Sequence, residues 1–449
     1  MAERLFSKRN IFAYALICGF VFLTQVFLEE RQPPVADALR YLDYAFNLNE
    51  HGVFGLSPPP GEAFSPGRAN APLYPWTLSL FLRLSDVAQG DVACHVQRQG
   101  QCAYVFQGVA LWQTVLMCVG LCALWAAGNL IFGRLGAGLT VLASYLSGEF
   151  TDFPNELLTE NLTIPLVCVL TLAIVAFRTS TRTWAAALGV TSALLVLTRP
   201  EFIYLTWALI ATFCGRLFML RTRRTAVELA LVLLCTVVLI GPWAVRNYVY
   251  FGDPALTQTY GGKVLAERIS YNDMSLGEVA VAFVHWFPDF GDSITERLLP
   301  SRFYERLGFD PNSYSAVGVQ RYYDDYLHRW DPEQMVGALI KTEILGNPIK
   351  HGIVSAALMW RGAFVATLWG ALGLFSAGYM MFTGPPRLRT NLWRIALAPS
   401  LMMVLYATVS VSIPRYGVCL IPLYSLAMAG VALAILARLR PAPVESAAP

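Results

Sequence analysis

Ten long stretches of the chain contain no Asp, Glu, Lys or Arg, and no other feature limits its fold more. They cover residues 10–28, 105–133, 135–148, 161–177, 183–198, 202–215, 229–245, 362–386, 395–414 and 416–437. About 20 apolar residues are needed to cross a bilayer as a helix, so the shorter runs must borrow flanking residues, and nine to eleven spans are acceptable. We therefore predict an all-α polytopic membrane protein with about ten transmembrane helices.

The composition excludes other classes of protein. Of the 449 residues, 56% are hydrophobic and 14% are charged, which leaves too few charges to cover a soluble surface of that size. The same composition excludes a disordered chain. The net charge of +3 is too small to suggest a nucleic-acid partner, so we expect none.

Basic residues alternate along the chain with the uncharged runs. Every second connection is short and basic, and these connections contain Arg134, Arg178, Arg182, Arg216, Arg221, Arg223, Arg224, Arg387, Arg389, Arg394, Arg438 and Arg440. The positive-inside rule puts these connections and both termini in the cytoplasm. The Arg-rich, Lys-poor composition favours a bacterial inner membrane, with the remaining connections on its outer, periplasmic face.

The predicted outer connections are uneven in length. A first loop at 29–104 contains two predicted amphipathic helices, at 36–51 and from 72 to about 84, and a second segment at 246–361 has too few apolar runs to span. We read the second segment as a mostly helical outer cap, with a helix at 332–345. The expected division is an N-terminal transmembrane module at 1–245, the cap at 246–361, and C-terminal transmembrane helices with a tail at 362–449.

Several short motifs follow one another at the predicted outer face. They are an Asp37-containing first loop with Asn47-Leu48-Asn49-Glu50-His51-Gly52, Ala71-Pro72-Leu73-Tyr74-Pro75, Leu157-Leu158-Thr159-Glu160-Asn161-Leu162, Leu197-Thr198-Arg199-Pro200-Glu201, Pro242-Trp243-Ala244-Val245-Arg246-Asn247-Tyr248 and Arg415-Tyr416. In order and placement they resemble the GT-C superfamily of membrane glycosyltransferases, in its bacterial protein O-mannosyltransferase and lipid A aminoarabinose transferase branch. The resemblance covers nearly the whole chain except the cap, roughly 260–350.

The resemblance implies an inverting transfer of a sugar from a polyprenyl-phosphate donor to an acceptor outside the membrane. An acceptor hydroxyl is a poor nucleophile, so a carboxylate must take its proton. Asp37 matches the acid of the family's first loop, and its alternative role is to cap the helix that follows. Asp43 projects from a different face of that helix and is read as a solvated acid.

A second group of acids precedes the run at 161–177. Glu160 matches the family's second acid, where it would orient the acceptor or help the base, and the alternative is a residue of a solvated loop. An acid at a membrane boundary is costly unless it has a partner. For Glu149, Asp152 and Glu156 the solvated loop is preferred.

Arginines at the outer ends of spans are exceptions to the positive-inside bias, and they are candidates to hold the donor phosphate. One or two guanidinium groups can hold a phosphate diester without a metal. Arg246, Arg415 and Arg199 are the candidates, with Lys263 as a fourth. The alternative for each arginine is snorkelling to the membrane interface.

The remaining features are simpler. The five histidines have no metal-ligand spacing. The implied sugar transfer requires no cofactor, and the need for a divalent metal stays open. Cys94 and Cys102 share the first outer loop, where a disulfide is plausible. The expected partners are a polyprenyl-phosphate sugar, membrane lipids, and a glycan, lipid or protein acceptor.

Two other functions compete with the transferase. A lipid-linked sugar transporter or flippase without transferase activity would be expected to carry ionisable residues within its spans and an inverted repeat, and neither is evident. If the protein were a membrane scaffold, nothing would explain why acids and arginines gather on the outer face. The glycosyltransferase ranks first and the flippase second.

Overall fold

The computed structural model describes residues 7–27, 37–58, 62–84, 94, 107–177, 181–258 and 261–439, and in these ranges the regular structure is helical. The longer helices of the N-terminal part are α1 Lys8–Phe27, α2 Asp37–His51, α3 Leu73–Leu84, α4 Gln107–Phe132, α5 Arg134–Tyr145, α6 Glu160–Ala176, α7 Thr181–Thr198, α8 Ile203–Leu220 and α9 Arg223–Phe251. The segment predicted as a cap contains α10 Gly261–Ser270, α11 Leu276–His285, α12 Gly291–Leu298, α13 Tyr314–Arg321, α14 Pro332–Leu339 and α15 Pro348–Gly362. The chain ends with α16 Leu368–Thr383, α17 Pro386–Val409, a 3-10 turn Pro414–Leu420 and α18 Ile421–Leu439.

Each of the ten uncharged runs falls on a helix. By length and composition, six helices of the described chain can cross a membrane, and several of the others are shorter apolar helices of 10–17 residues. The all-α polytopic membrane fold is therefore confirmed. The number of crossings, about ten, stays a prediction.

The two helices expected in the first loop are present. Helix α2 ends at His51, and Gly52 follows with a φ of 67°, a left-handed conformation that glycine adopts without a steric penalty. The apolar side of α2 packs on α3 and forms a small buried cluster that includes Leu42, Leu78 and Leu82. These contacts attach the first loop to the helical bundle.

The bundle is held together by close helix pairs. Helix α4 packs on α6, α7 on α9, and α18 on both α5 and α16. A Cβ atom added at Gly373 of α16 would lie 2.5 Å from the ring of Tyr424 on α18, so only glycine fits there. Small residues at such crossings allow backbones to approach closely where the surrounding solvent is lipid.

The cap segment is fastened to α17 by a buried arginine. Arg268 of α10 is fully buried and donates hydrogen bonds to the carbonyl oxygens of Ala407 (2.5 Å) and His351 (3.2 Å), to Ser355 Oγ (2.7 Å) and to Asn272 Oδ1 (3.1 Å). Burial lowers the pKa of Arg268 to about 9, which still leaves it charged at neutral pH. A buried charge of this kind requires all of its hydrogen bonds, so α10, α15 and α17 are tied together.

Candidate functional site

Glu160 is the centre of a charged cluster. Its side chain is fully buried, and Arg415 binds it in bidentate fashion, with Nε 2.6 Å from Oε1 and Nη2 2.9 Å from Oε2. Arg199 Nη1 donates a third hydrogen bond to Oε1 at 3.2 Å. A buried carboxylate with these partners is fully compensated, so the solvated-loop alternative for Glu160 does not apply.

The cluster extends through Arg199 to a second acid. Arg199 Nε donates to Glu201 Oε1 at 2.9 Å, and the same oxygen accepts a hydrogen bond from the Tyr406 hydroxyl at 3.0 Å. The rings of Tyr406 and Tyr416 stack with centroids 4.7 Å apart, and the Arg199 guanidinium lies 5.2 Å from the Tyr416 centroid. Two carboxylates and two guanidinium groups therefore form one neutral network.

Three helix ends bring these groups together. Glu160 begins α6, Arg199 follows the last residue of α7, and Arg415 lies in the 3-10 turn before α18. The opposite ends of α7 and α18 carry Arg182 and Arg438. The cluster is thus at the end of the bundle away from the basic connections.

A row of polar side chains fixes the loop that precedes Glu160. Gln113 of α4 donates to the carbonyl oxygens of Pro154 (2.9 Å) and Glu156 (3.2 Å), and its own oxygen accepts from the Tyr74 hydroxyl (2.5 Å). Asn161 is fully buried and donates to the Glu156 carbonyl at 2.7 Å. Sequence reasoning missed this support, because the three side chains come from separate parts of the chain.

Asp37 lies at the first position of α2, outside the neutral network. Its side chain is 45% exposed and accepts a hydrogen bond of 2.7 Å from Arg40, one turn later. Asp43 instead accepts from the backbone N–H of Ser57 at 3.0 Å and from its hydroxyl at 2.5 Å, so it fixes the first loop through hydrogen bonds that remain exposed to solvent. Of these two first-loop acids, Asp37 is paired within its own helix, whereas Asp43 binds the segment that follows the helix.

The charges of both Asp37 and the cluster act on Tyr41. Burial raises the pKa of Tyr41, the charges of Asp37 and Glu160 add to the increase, and those of Arg199 and Arg415 oppose it. Tyr41 is therefore within electrostatic range of both the candidate base and the cluster. Its position one helical turn after Asp37 is the sequence signal that could have identified it.

The charge of Glu160 also acts on Glu149. Burial, with added repulsion from Asp152, Glu160 and Glu156, raises the pKa of Glu149 to about 8. Its side chain is half-buried, so it is less open to solvent than the sequence interpretation as a solvated loop residue expects.

Arg246 lies apart from the cluster. Its Nη1 donates to the Gly67 carbonyl at 2.9 Å and to Asn247 Oδ1 at 2.8 Å, and its Nη2 donates to the Phe54 carbonyl at 3.1 Å. The guanidinium also lies 4.5 Å from the centroid of Trp243. These contacts join α9 to the first loop beside a cavity of 650 Å³ lined by Phe54, Trp243 and Arg246.

Lys263 lies on α10 in the cap segment. Its Nζ is 5.6 Å from the centroid of the Tyr323 ring. One turn later on α10, Glu267 accepts a hydrogen bond from the Ser315 hydroxyl and acts electrostatically on Tyr416. Lys263 is thus one helical turn from a residue whose charge acts on the cluster's Tyr416.

The described cysteines and acids form neither an assigned disulfide pair nor a metal site. Cys94 is disulfide-bonded, while Cys102, its predicted partner, lies outside the described residues. Within the ranges that the structure describes, no group of three or more His, Cys, Asp or Glu side chains could hold a metal ion. The pairing with Cys102 and the metal requirement stay untested.

Comparison with known proteins shows the fold. No protein-family model matches the sequence, and no curated protein matches it. The chain is similar to the crystal structure of ArnT from Cupriavidus metallidurans bound to undecaprenyl phosphate, with 14% identity and a TM-score of 0.51 over 95% of this chain, and it spans only 60% of that ArnT chain. The apo state of the same ArnT matches with 15% identity and a TM-score of 0.38 over 94% of this chain and 77% of ArnT.

ArnT is a GT-C lipid A aminoarabinose transferase, so the fold expected from the motif resemblance is confirmed. With this fold and its apolar helices, the chain is a multi-pass membrane protein.

Proposed function

We propose that the protein is a GT-C-type glycosyltransferase that moves a sugar from a polyprenyl-phosphate donor to an acceptor on the outer face of the membrane. The observation that carries this proposal is the neutral cluster around Glu160, from which Arg415 emerges with 34% of its side chain exposed, in a fold similar to that of ArnT. The structure of ArnT with undecaprenyl phosphate supports a lipid phosphate as the common ligand.

Asp37 is the proposed general base. Its carboxylate accepts the proton of the acceptor hydroxyl as the acceptor oxygen attacks the anomeric carbon from the side opposite the phosphate. The bond between that carbon and the phosphate oxygen breaks, the polyprenyl phosphate leaves with both electrons, and the configuration is inverted. Asp37 suits this role because its side chain is half-exposed and lies outside the buried network.

Arg415 is proposed to hold the donor phosphate, with Lys263 as a second cation from the cap. Glu160 and Arg199 are assigned as positioning residues, because Glu160 is buried and bound on both oxygens and so has no access to an acceptor. Arg246 is assigned to the first loop rather than to the phosphate, because three of its five N–H donors already bind oxygens of the chain itself.

The first prediction tests the base. Purified protein is incubated with a membrane lipid extract containing undecaprenyl-phosphate sugars, and mass spectrometry measures the undecaprenyl phosphate released. Asp37→Asn should slow release by about 10²- to 10⁴-fold, the usual cost of removing a general base. Glu50→Gln, an exposed change near the end of the same helix, should release it at the wild-type rate.

Other outcomes would decide against the proposal. Near wild-type release by Asp37→Asn would remove Asp37 as the base. If the wild-type protein releases no undecaprenyl phosphate but moves the intact lipid-linked sugar across a liposome bilayer, the flippase is correct and the transferase is not.

A further inference from the structure

A second cavity lies inside the bundle, between α6, α7, α8, α9 and α17. It has a volume of 790 Å³, and its walls are mainly apolar and include Leu170, Leu188, Leu205, Leu209, Leu397 and Leu401. Leu220 at its edge is 54% exposed, so the cavity reaches the surface of the molecule. A cavity of this size and lining can accept a long apolar chain.

The charged end of the cavity is far from the Glu160 cluster. Phe177, whose ring lies 5.1 Å from the Arg216 guanidinium, follows the last residue of the 17-residue helix that Glu160 begins. At 1.5 Å of rise per residue, about 25 Å of helix separates Glu160 from Phe177. From this end, which carries the basic connections, the apolar walls extend towards the cluster as far as Leu170 and Leu205.

Charged groups gather on one part of the cavity lining. Three arginines, Arg216, Arg224 and Arg394, line it together with one acid, Glu228. The Glu228 side chain is 1% exposed and lies 3.3 Å from both Arg216 Nη2 and Arg224 Nε. The excess of cations over the single carboxylate favours an anion in the cavity.

Two polar atoms of this group have unmet hydrogen-bonding capacity. Glu228 Oε1 and Arg216 Nε are buried and have no hydrogen-bond partner. The Arg224–Glu228 contact is an ion pair without hydrogen-bond geometry at Oε1. Both atoms are closed off from the cavity, whereas the side chains of Arg216 and Arg224 are 38% and 62% exposed and can meet an anion.

We propose that this cavity binds an anionic phospholipid of the phosphatidylglycerol type. Its phosphate lies against the exposed guanidinium groups of Arg216 and Arg224, and an acyl chain follows the leucine-lined walls. This lipid supplies the net negative charge that the excess of arginines favours, while a phosphatidylcholine head carries a compensating cation. The site is separate from the proposed transfer site and does not depend on it.

The second prediction tests this site. The purified full-length protein is delipidated in detergent and titrated with phosphatidylglycerol, and native mass spectrometry measures the bound fraction. Arg216→Gln combined with Arg224→Gln should weaken binding at least about tenfold, because the phosphate loses its charge-assisted hydrogen bonds. Arg223→Gln, an exposed arginine next to Arg224 that does not line the cavity, should bind as the wild type does.

A second variant covers the case in which the double variant does not fold. Ala208→Trp fills the apolar part of the cavity and keeps every arginine, and it should also weaken binding about tenfold. Equal binding of phosphatidylcholine by the wild type, an equal loss in Arg223→Gln, or unchanged binding in both cavity variants would overturn the proposal. Binding of undecaprenyl phosphate but not of phosphatidylglycerol would overturn the assignment to a phospholipid.

Discussion

Glu160 shows how a carboxylate can be kept at the edge of a membrane bundle. With Glu201, it balances the charges of Arg199 and Arg415, so the network is neutral before any ligand enters. A donor phosphate would add a negative charge to this neutral set. The exposed part of Arg415 and a cation from outside the network, such as Lys263, would then have to offset it.

Glu149 gives the third prediction, on stability and pH. Its pKa of about 8 in the folded protein lies well above the value of about 4.3 in an unfolded chain. Between these two pH values the folded protein keeps a proton that the unfolded chain releases, so stability falls as the pH rises through the window and levels off above pH 8. Glu149→Gln cannot ionise and should escape this loss.

The measurement is the Tm in detergent at several pH values. Glu149→Gln should match the wild type near pH 5 and exceed it by on the order of 2 °C at pH 8.5. Glu50→Gln, which removes an exposed carboxylate, serves as the control. A Tm difference that does not change with pH would show that Glu149 is not held protonated.

The sequence predicted which residues stand at helix ends, but not which ends meet. Arg246, Arg415 and, after them, Arg199 were the candidates, since each follows or precedes an uncharged run. In the fold, α7 and the turn before α18 pack on α6, which brings Arg199 and Arg415 to Glu160, whereas α9 packs on α7 and α8. Helix adjacency is a tertiary property, and a single sequence does not contain it in any local pattern.

At the scale of elements, the link between α9 and the first loop depends on Arg246. Its three charge-assisted hydrogen bonds reach the loop carbonyls of Phe54 and Gly67 and the amide oxygen of Asn247. The Gly67 N–H also donates to the Phe54 carbonyl at 2.7 Å, which closes the loop on itself. Arg246 therefore determines where the helix that begins at Asp37 is held.

The fourth prediction is that Arg246→Gln loosens this loop. Loss of the hydrogen bonds should cost about 2–3 kcal/mol and make the amides of Gly67 and Ala69 exchange hydrogen roughly 10- to 100-fold faster. Hydrogen–deuterium exchange measured by mass spectrometry provides the test, with the exposed Arg302→Gln as the control. If hydrogen exchange is unchanged and undecaprenyl phosphate binds more weakly, Arg246 binds the donor phosphate and does not hold the loop.

At the scale of the whole molecule, the helices were the most predictable part. Absence of charge is a local property, and each of the ten uncharged runs contains a helix. In the cap, only the helix that corresponds to α14 was predicted from the sequence. The other cap helices are short and have mixed polar and apolar faces, and tertiary contacts such as those of Arg268 determine their positions.

The fifth prediction concerns orientation, on which the proposed function depends. Single cysteines at Glu62, Ser301 and Pro385, all exposed positions, are introduced into a Cys-free variant. An impermeant thiol reagent added to intact spheroplasts should label positions 62 and 301 and reach position 385 only after permeabilisation, because the basic connections face the cytoplasm. Labelling of position 385 alone in intact spheroplasts would reverse the topology.

The buried Arg268 also restricts how this protein can be recombined with its relatives. A chimaera that exchanged only the cap would combine α10 of one parent with α17 of the other. In this protein the guanidinium of Arg268 on α10 donates a hydrogen bond to the Ala407 carbonyl on α17. Any mismatch would leave a charge buried without its acceptors, which destabilises a fold by several kcal/mol. Grafts that retain α10, α15 and α17 from a single parent should therefore be recovered far more often than grafts cut between them, and specificity carried by the cap would be inherited together with the C-terminal helices.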